Sequence, residues 1–191
     1  LSSAASDVYK RQEYVYVPEY LELDDNTNSS YSNMTVQGDK LYYTNYQWDE
    51  ASGESKVLLG TYSLTDGSRE DLPITISADG GGIYSMQADA EGNIYTAEFE
   101  WNATEGDDAY TQQTTVLHKY DASGTELVTQ DITDIMQQDE NNSYVGSMCL
   151  DDQGRFYISS DSLIRLFGSD GQFQGCLLYT SPSPRDPKTS R

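Results

Sequence analysis

The chain has 191 residues, with 32 acidic against 11 basic side chains and a formal net charge of −21 at pH 7. A polyanion of this strength repels phosphate backbones and anionic lipid headgroups, which argues against nucleic acid and against direct contact with a membrane surface. The length is one domain's worth of chain, or part of a larger domain, and no apolar run is long enough to cross a membrane as a helix.

The two ends carry a relation that protein chemistry does not explain. Asp7-Val-Tyr-Lys-Arg-Gln12 can be written in codons whose reverse complement, shifted by one base, encodes Cys176-Leu-Leu-Tyr-Thr-Ser181. Together with Ser2-Ser-Ala-Ala-Ser6 and Pro182-Ser-Pro-Arg-Asp186, these segments resemble translated adapters of a transposase-based sequencing library. The resemblance implies that residues 1–12 and 176–191 are disordered flanks outside the fold, and that 13–175 is a piece of a longer chain. Five of the 11 basic residues but two of the 32 acidic ones lie in these flanks, so the stretch between them is more acidic still. Cys149 is then the one natural cysteine and has no partner for an internal disulfide. Within the apolar Met148-Cys-Leu150 it reads as a small buried hydrophobe.

In chain order, the first expected element is Glu13-Tyr-Val-Tyr-Val-Pro-Glu-Tyr-Leu-Glu-Leu23, an alternating strand over 13–23 whose Pro18 suits an edge. A repeat follows. Leu41-Tyr-Tyr-Thr-Asn-Tyr-Gln-Trp48 lies over Ile94-Tyr-Thr-Ala-Glu-Phe-Glu-Trp101 at a constant offset of 53, matching Tyr42 with Tyr95, Tyr46 with Phe99 and Trp48 with Trp101. Upstream, each copy has a Met strand and a Gly turn, at Met34–Asp39, Met86–Asn93 and Met148–Arg155. Downstream, Leu59–Gly67 matches Leu117–Gly124 and Ile164–Gly171, each ending in a second Gly turn. The third copy is shorter because Ser160-Asp161-Ser162 replaces a long loop. The glycines supply the positive φ that hairpin turns need, and the intervening segments are rich in Tyr, Val, Ile, Thr and Phe. Only Asp131-Ile-Thr-Asp-Ile-Met-Gln-Gln138 has a helical pattern, enough for two turns between the second and third copies.

Four antiparallel strands per unit, repeating about every fifty residues, predict an all-β fold of the β-propeller type. The expected blades are 31–77, 83–133 and 144–175. Propellers close with about four to eight blades, so about three blades form an incomplete propeller, an open arc. A lone four-stranded sheet cannot shield both faces, and the repeated aromatics are expected to fill the gaps between blades.

The third unit, Met148 to Gly175, has Asp151-Asp-Gln-Gly154, an aromatic strand, a short Ser/Asp loop, Ile164-Arg-Leu-Phe167 and an Asp-Gly turn. In these elements it resembles an NHL-type propeller repeat. The likeness extends to the other two units, although the first lacks the Asp before its Gly turn. It implies a binding platform or sensor domain or, in related six-bladed forms, a lactonase or lyase. The acidic, Tyr-rich stretch as a whole is similar to propeller regions in surface lipoproteins of gut Firmicutes, some of which are attached to solute-binding modules. That likeness implies an extracytoplasmic bacterial protein, at the cell surface or secreted.

A central metal in such an enzyme needs convergent oxygen ligands on the innermost strands. Those strands are expected to be the ones with Met34, Met86 and Met148. Their flanking residues, Asn33 and Thr35, Ser85 and Gln87, Ser147 and Cys149, include no carboxylate. Asp24-Asp-Asn-Thr-Asn28 begins like a calcium loop but lacks the Gly at position six and the Glu at position twelve. Glu105–Asp108 and Asp139–Asn142 are weaker still. His118 is the sole histidine and is expected at an exposed or packing position, so no hydrolytic triad can be drawn. Gly80-Gly-Gly82 reads as a bend between blades and not as a phosphate loop. Asn28, Asn33, Asn102 and Asn141 begin glycosylation triplets, relevant only in a eukaryotic secretory pathway.

The sequence therefore assigns no catalytic, cofactor-binding or metal-ligating residue. It points to a non-catalytic binding or scaffold propeller that holds a protein, peptide or carbohydrate through the rim loops after Trp48 and Trp101. Two alternatives stand beside it. One is an accessory propeller of an extracellular solute-binding lipoprotein. The other is a metal-dependent lactonase- or lyase-like enzyme whose ligands come from blades outside this stretch.

Overall fold

The computed structural model describes residues 29–77, 81–102, 112–139 and 143–178. The expected strand at 13–23, the calcium-like segment at 24–28, Glu105–Asp108 and residues 140–142 lie outside the described residues, as do 1–12 and 179–191. The described strands form three four-stranded antiparallel sheets, each with its strands in sequence order. The first sheet comprises β1 (Ser29–Gln37), β2 (Lys40–Trp48), β3 (Ser55–Ser63) and β4 (Arg69–Ser77). The second comprises β5 (Gly81–Ala88), β6 (Ile94–Asn102), β7 (Gln112–Tyr120) and β8 (Glu126–Asp131). The third comprises β9 (Ser147–Leu150), β10 (Phe156–Ser159), β11 (Leu163–Phe167) and β12 (Phe173–Leu178). A single-turn helix, α1 (Thr133–Gln137), joins the second sheet to the third and is shorter than the two turns expected.

Local chemistry sets the registers. In three turns an Asp side chain accepts backbone N–H groups two and four residues ahead. Asp89 takes those of Glu91 and Asn93, Asp121 those of Ser123 and Thr125, and Asp151 those of Gln153 and Arg155. An Asp side chain can imitate a backbone turn in this way, and the following Gly takes the positive φ. Each turn then fixes its hairpin, so that Ala88 faces Ile94, Tyr120 faces Glu126 and Leu150 faces Phe156.

The sheets pack face to face, with β1 against β5 and β5 against β9. Between the first and second sheets lie Tyr42, Val57, Leu59, Ile74, Met86 and Ile94. Between the second and third lie Tyr95, Leu117, Met148, Phe156, Ile158 and Phe167, joined by Ile132, Met136 and Val145 from the connecting segment. Tyr42 and Tyr95, matched at the sequence level, thus fill the two gaps in the same manner. Each fully buried Leu or Ile here contributes roughly 1.5–3 kcal/mol.

Three expectations change. Cys149 is exposed and not buried. Strand alternation sends Met148 into the core and Cys149 to the opposite face, where no sheet lies among the described residues. Gly81 and Gly82 do not bend the chain between sheets but begin β5, opposite Glu100 and Phe99. A Cβ on Gly81 would lie 2.6 Å from the Phe99 carbonyl oxygen, so this approach of two backbones needs glycine. Finally, β12 continues past Gly175 to Leu178, pairing Ile164 with Leu177. The strand therefore takes in residues expected to lie outside the fold. Main-chain hydrogen bonds do not read side chains, and the edge of β11 offers them.

Candidate functional site

The first strand of each sheet meets the first strand of the next, and neutral polar groups join them. Thr35 Oγ1 donates to Gln87 Oε1 at 3.2 Å, and Gln87 Nε2 donates to the Met148 carbonyl at 3.2 Å. At the turn end of these strands a groove of about 690 Å³ is lined by Gln87, Asp89, Glu91, Lys119, Cys149 and Asp151, among others. Its two turn carboxylates are already engaged. Asp89 accepts from Asn93 Nδ2 at 2.7 Å and Tyr95 OH at 2.8 Å, besides its two backbone donors. Burial acts to raise its pKa, but these four donors outweigh burial and hold the carboxyl below its ordinary range. Asp151 accepts from Arg155 Nε at 2.6 Å and Tyr157 OH at 3.1 Å. Desolvation opposes its ionisation too, yet Arg155 and the turn N–H groups bring it down to about 2. Both carboxylates serve as turn staples, with their lone pairs directed into their own hairpins.

His118 takes a packing position, one of the two expected of it. On β7 it is partly buried, on the same face of the second sheet as Ile94, and it sits between two glutamates. Nδ1 lies 2.6 Å from Glu126 Oε1, and Nε2 lies 3.8 Å from Glu98 Oε2. Tyr120 stacks on the imidazole at 5.7 Å between centroids and donates its hydroxyl to Glu98 at 3.3 Å. Thr96 Oγ1 donates to the same Glu98 oxygen at 2.5 Å. Burial pushes the Glu98 carboxyl above its ordinary pKa despite His118, Thr96 and Tyr120. Hydrogen bonds from Thr129 and His118 lower that of Glu126. With a carboxylate opposite each ring nitrogen, the imidazole acts as a clamp between β6, β7 and β8. Among the described residues, the polar partners of its ring nitrogens are these two carboxylates.

A sequence signal for this cluster was present. Ile94, Thr96 and Glu98 alternate on one face of β6, so an apolar Ile94 commits Glu98 to the covered side. The Asp121–Gly124 turn then returns Glu126 to the position opposite Tyr120.

Trp48 is the last residue of β2 and Trp101 the penultimate residue of β6, at equivalent registers opposite Ser55 and Gln113. They are 53% and 41% exposed. Beside Trp48, Tyr46 OH donates to Ser55 Oγ at 2.7 Å, and Asp49 accepts the N–H groups of Ala51 and Ser52 to shape the following loop. The loop after Trp101 lies outside the described residues. An exposed indole beside polar loop groups offers a large apolar face and an N–H donor, the combination used to hold peptides and sugars.

No family model and no curated protein matches this chain. Among solved structures it is similar to a protein of unknown function from Bacteroides caccae, with a TM-score of 0.42 and 12% identity. The similarity covers 77% of this chain and 57% of that one, so the chain spans less than two thirds of that neighbour.

The structure thus links Thr35, Gln87 and Met148 across the first strands of the three sheets, and leaves Trp48 and Trp101 exposed at equivalent strand positions. It unites Glu98, His118 and Glu126, which the sequence reading had left apart.

Proposed function

We propose that the three sheets are consecutive blades of a β-propeller, and that the protein is a non-catalytic binding platform for a peptide or carbohydrate. The succession of first strands, β1 to β5 to β9, supports the propeller reading, because blades of that fold converge through their first strands. The NHL-like third unit agrees with it. The observation that carries the binding role is the pair of exposed indoles, Trp48 and Trp101, at matching positions of adjacent sheets. In this reading they form the ligand's apolar anchor, and the Asp49 loop supplies polar contacts. Its extracytoplasmic bacterial setting rests on the likeness to surface lipoproteins.

Trp48 and Trp101 are the only tryptophans in the chain, so intrinsic fluorescence reports directly on the rim. Titration with glycan and peptide panels is expected to give a ligand that shifts or quenches the emission. Trp48→Ala and Trp101→Ala should each weaken that ligand about tenfold while circular dichroism stays unchanged. A ligand bound equally well by the parent and by both variants would remove the rim from the proposal.

A further inference from the structure

We propose that the cleft between the first and second sheets binds a primary ammonium group, whose N–H donates to the Tyr42 hydroxyl. The site lies between two described sheets and does not depend on the exposed indoles. Tyr42 and Tyr95 hold equivalent positions and their rings pack alike, but their hydroxyls differ. Tyr95 OH donates to Asp89 at 2.8 Å, in the turn of its own hairpin, and Tyr157 OH donates to Asp151 in the same way at 3.1 Å. The hairpin of Tyr42 is built differently. Its strands pair as far as Gln37 and Lys40, so its turn is Gly38-Asp39 alone, without the longer loop that carries Asp89 or Asp151. Asp39 follows the glycine instead of preceding it, and accepts from Thr65 Oγ1 at 3.5 Å. Tyr42 is 6% exposed, and its hydroxyl makes no hydrogen bond to a described residue. It opens on a cleft of about 490 Å³, beside Gly92 of the second sheet. That volume is in the range of small-molecule sites.

The cross-strand neighbour of each tyrosine points to the chemistry of the ligand. Lys119 pairs with Tyr95, and its Nζ lies 5.0 Å from the centre of the Tyr95 ring. The second gap thus supplies its own ammonium to an aromatic face. Thr61 stands in the equivalent place opposite Tyr42 and carries no such group. Four carboxylates, those of Asp39, Glu70, Asp89 and Glu91, line the cleft against the single cation Lys40. Lys40 is itself paired with Glu70, at 3.9 Å. Asp89 directs its lone pairs into its own turn but keeps its charge. This field favours a cation over an anion or a neutral polyol. A metal ion fits less well, because no three carboxylate, histidine or cysteine groups converge among the described residues. Leu72 and Ala122 offer apolar contact to the alkyl stem of an amine. A lysine side chain of a peptide and a small free amine share this chemistry.

Titration of the isotope-labelled full chain with n-butylamine at neutral pH, followed through backbone amide shifts, tests the proposal. Saturable shifts are expected at Gly38 and Gly92, weakened by added salt, and n-butanol should leave them unchanged. Tyr42→Phe removes one oxygen and should weaken the amine about tenfold. Thr61→Lys places an ammonium where the second gap has Lys119, and should abolish binding. Thr61 is 3% exposed. Should that variant unfold, as judged by circular dichroism, Tyr42→Phe decides alone. The tripeptide Gly-Lys-Gly separates the two sources, since tighter binding than n-butylamine marks a peptide lysine and weaker binding a free amine. Absence of saturable shifts in the parent, or equal shifts with n-butanol, would overturn the proposal. So would undiminished binding by folded Tyr42→Phe or by folded Thr61→Lys.

Discussion

The Asp89 carboxylate accepts four hydrogen bonds, from Glu91 N, Asn93 N, Asn93 Nδ2 and Tyr95 OH. Replacing it with Ala leaves these donors without their acceptor and should cost about 1–2 kcal/mol in urea unfolding. Its folded pKa lies below the ordinary 3.8. The stabilisation is thus present above that value and is lost as pH falls through the folded value. Asp89→Asn should accordingly lose less of its stability between pH 5 and pH 2 than the parent does. Glu98 has the opposite sign. Its folded pKa is raised above the ordinary 4.5, so its favourable contribution is present below that value and is lost as pH rises through the folded one. Glu98→Gln keeps an acceptor for Thr96 and Tyr120, and should gain more relative to the parent at pH 8 than at pH 4. An equal shift in unfolding midpoint at both pH values would show that burial of this charge is not the cause. The Asp turns were legible in the sequence because their partners lie within a few residues. The Glu98 and His118 cluster needed the register of three strands.

Among the elements, one equivalent position is used in three ways. Gly60, His118 and Arg165 each follow the matched apolar residue of the third strand. The Tyr43 ring lies over Gly60, within 2.8 Å of where a Cβ would stand. His118 enters its glutamate clamp. Arg165 is buried and ties α1 to the third sheet, donating to Ser160 Oγ at 3.0 Å and to the Met136 carbonyl at 3.2 Å. Burial lowers its pKa. Arg165→Met should destabilise by about 1–3 kcal/mol and speed hydrogen exchange in α1, because it strips the helix of its tether. Turn glycines separate local from inter-sheet effects. Gly154 and Gly38 both have positive φ, +70° and +62°, but only Gly154 faces a neighbouring tyrosine. Gly38→Ala should cost the backbone strain alone, roughly 1–2 kcal/mol, and Gly154→Ala should cost more in the same denaturant titration. The repeat predicted the strands and their turns correctly because both signals are local. It misplaced the Gly81-Gly82 start of β5, because what demands glycine there is the Phe99 carbonyl of a paired strand.

At the scale of the whole molecule, each sheet depends on its neighbours, as in other repeat folds where stability adds through nearest-neighbour interfaces. Two such interfaces lie within the described residues. Unfolding one sheet strips the cover from its neighbour, so the three sheets are expected to melt in a single calorimetric transition. Differential scanning calorimetry is the direct check, and two resolved transitions would mean that the sheets unfold separately.

The amino-acid sequence by itself determined the strands, their hairpin turns and the period of the repeat, because alternation, Asp side chains and glycine φ act over a few residues. It also determined that Tyr42 and Tyr95 play the same part. Only the tertiary structure decided which equivalent residues are covered. Met86 is buried and Met34 exposed, Leu117 is buried and Ile164 exposed, and Cys149 faces outward although its neighbours are apolar. Alternation names the two faces of a strand, but burial depends on what packs against them, and that surface comes from residues fifty or more positions away.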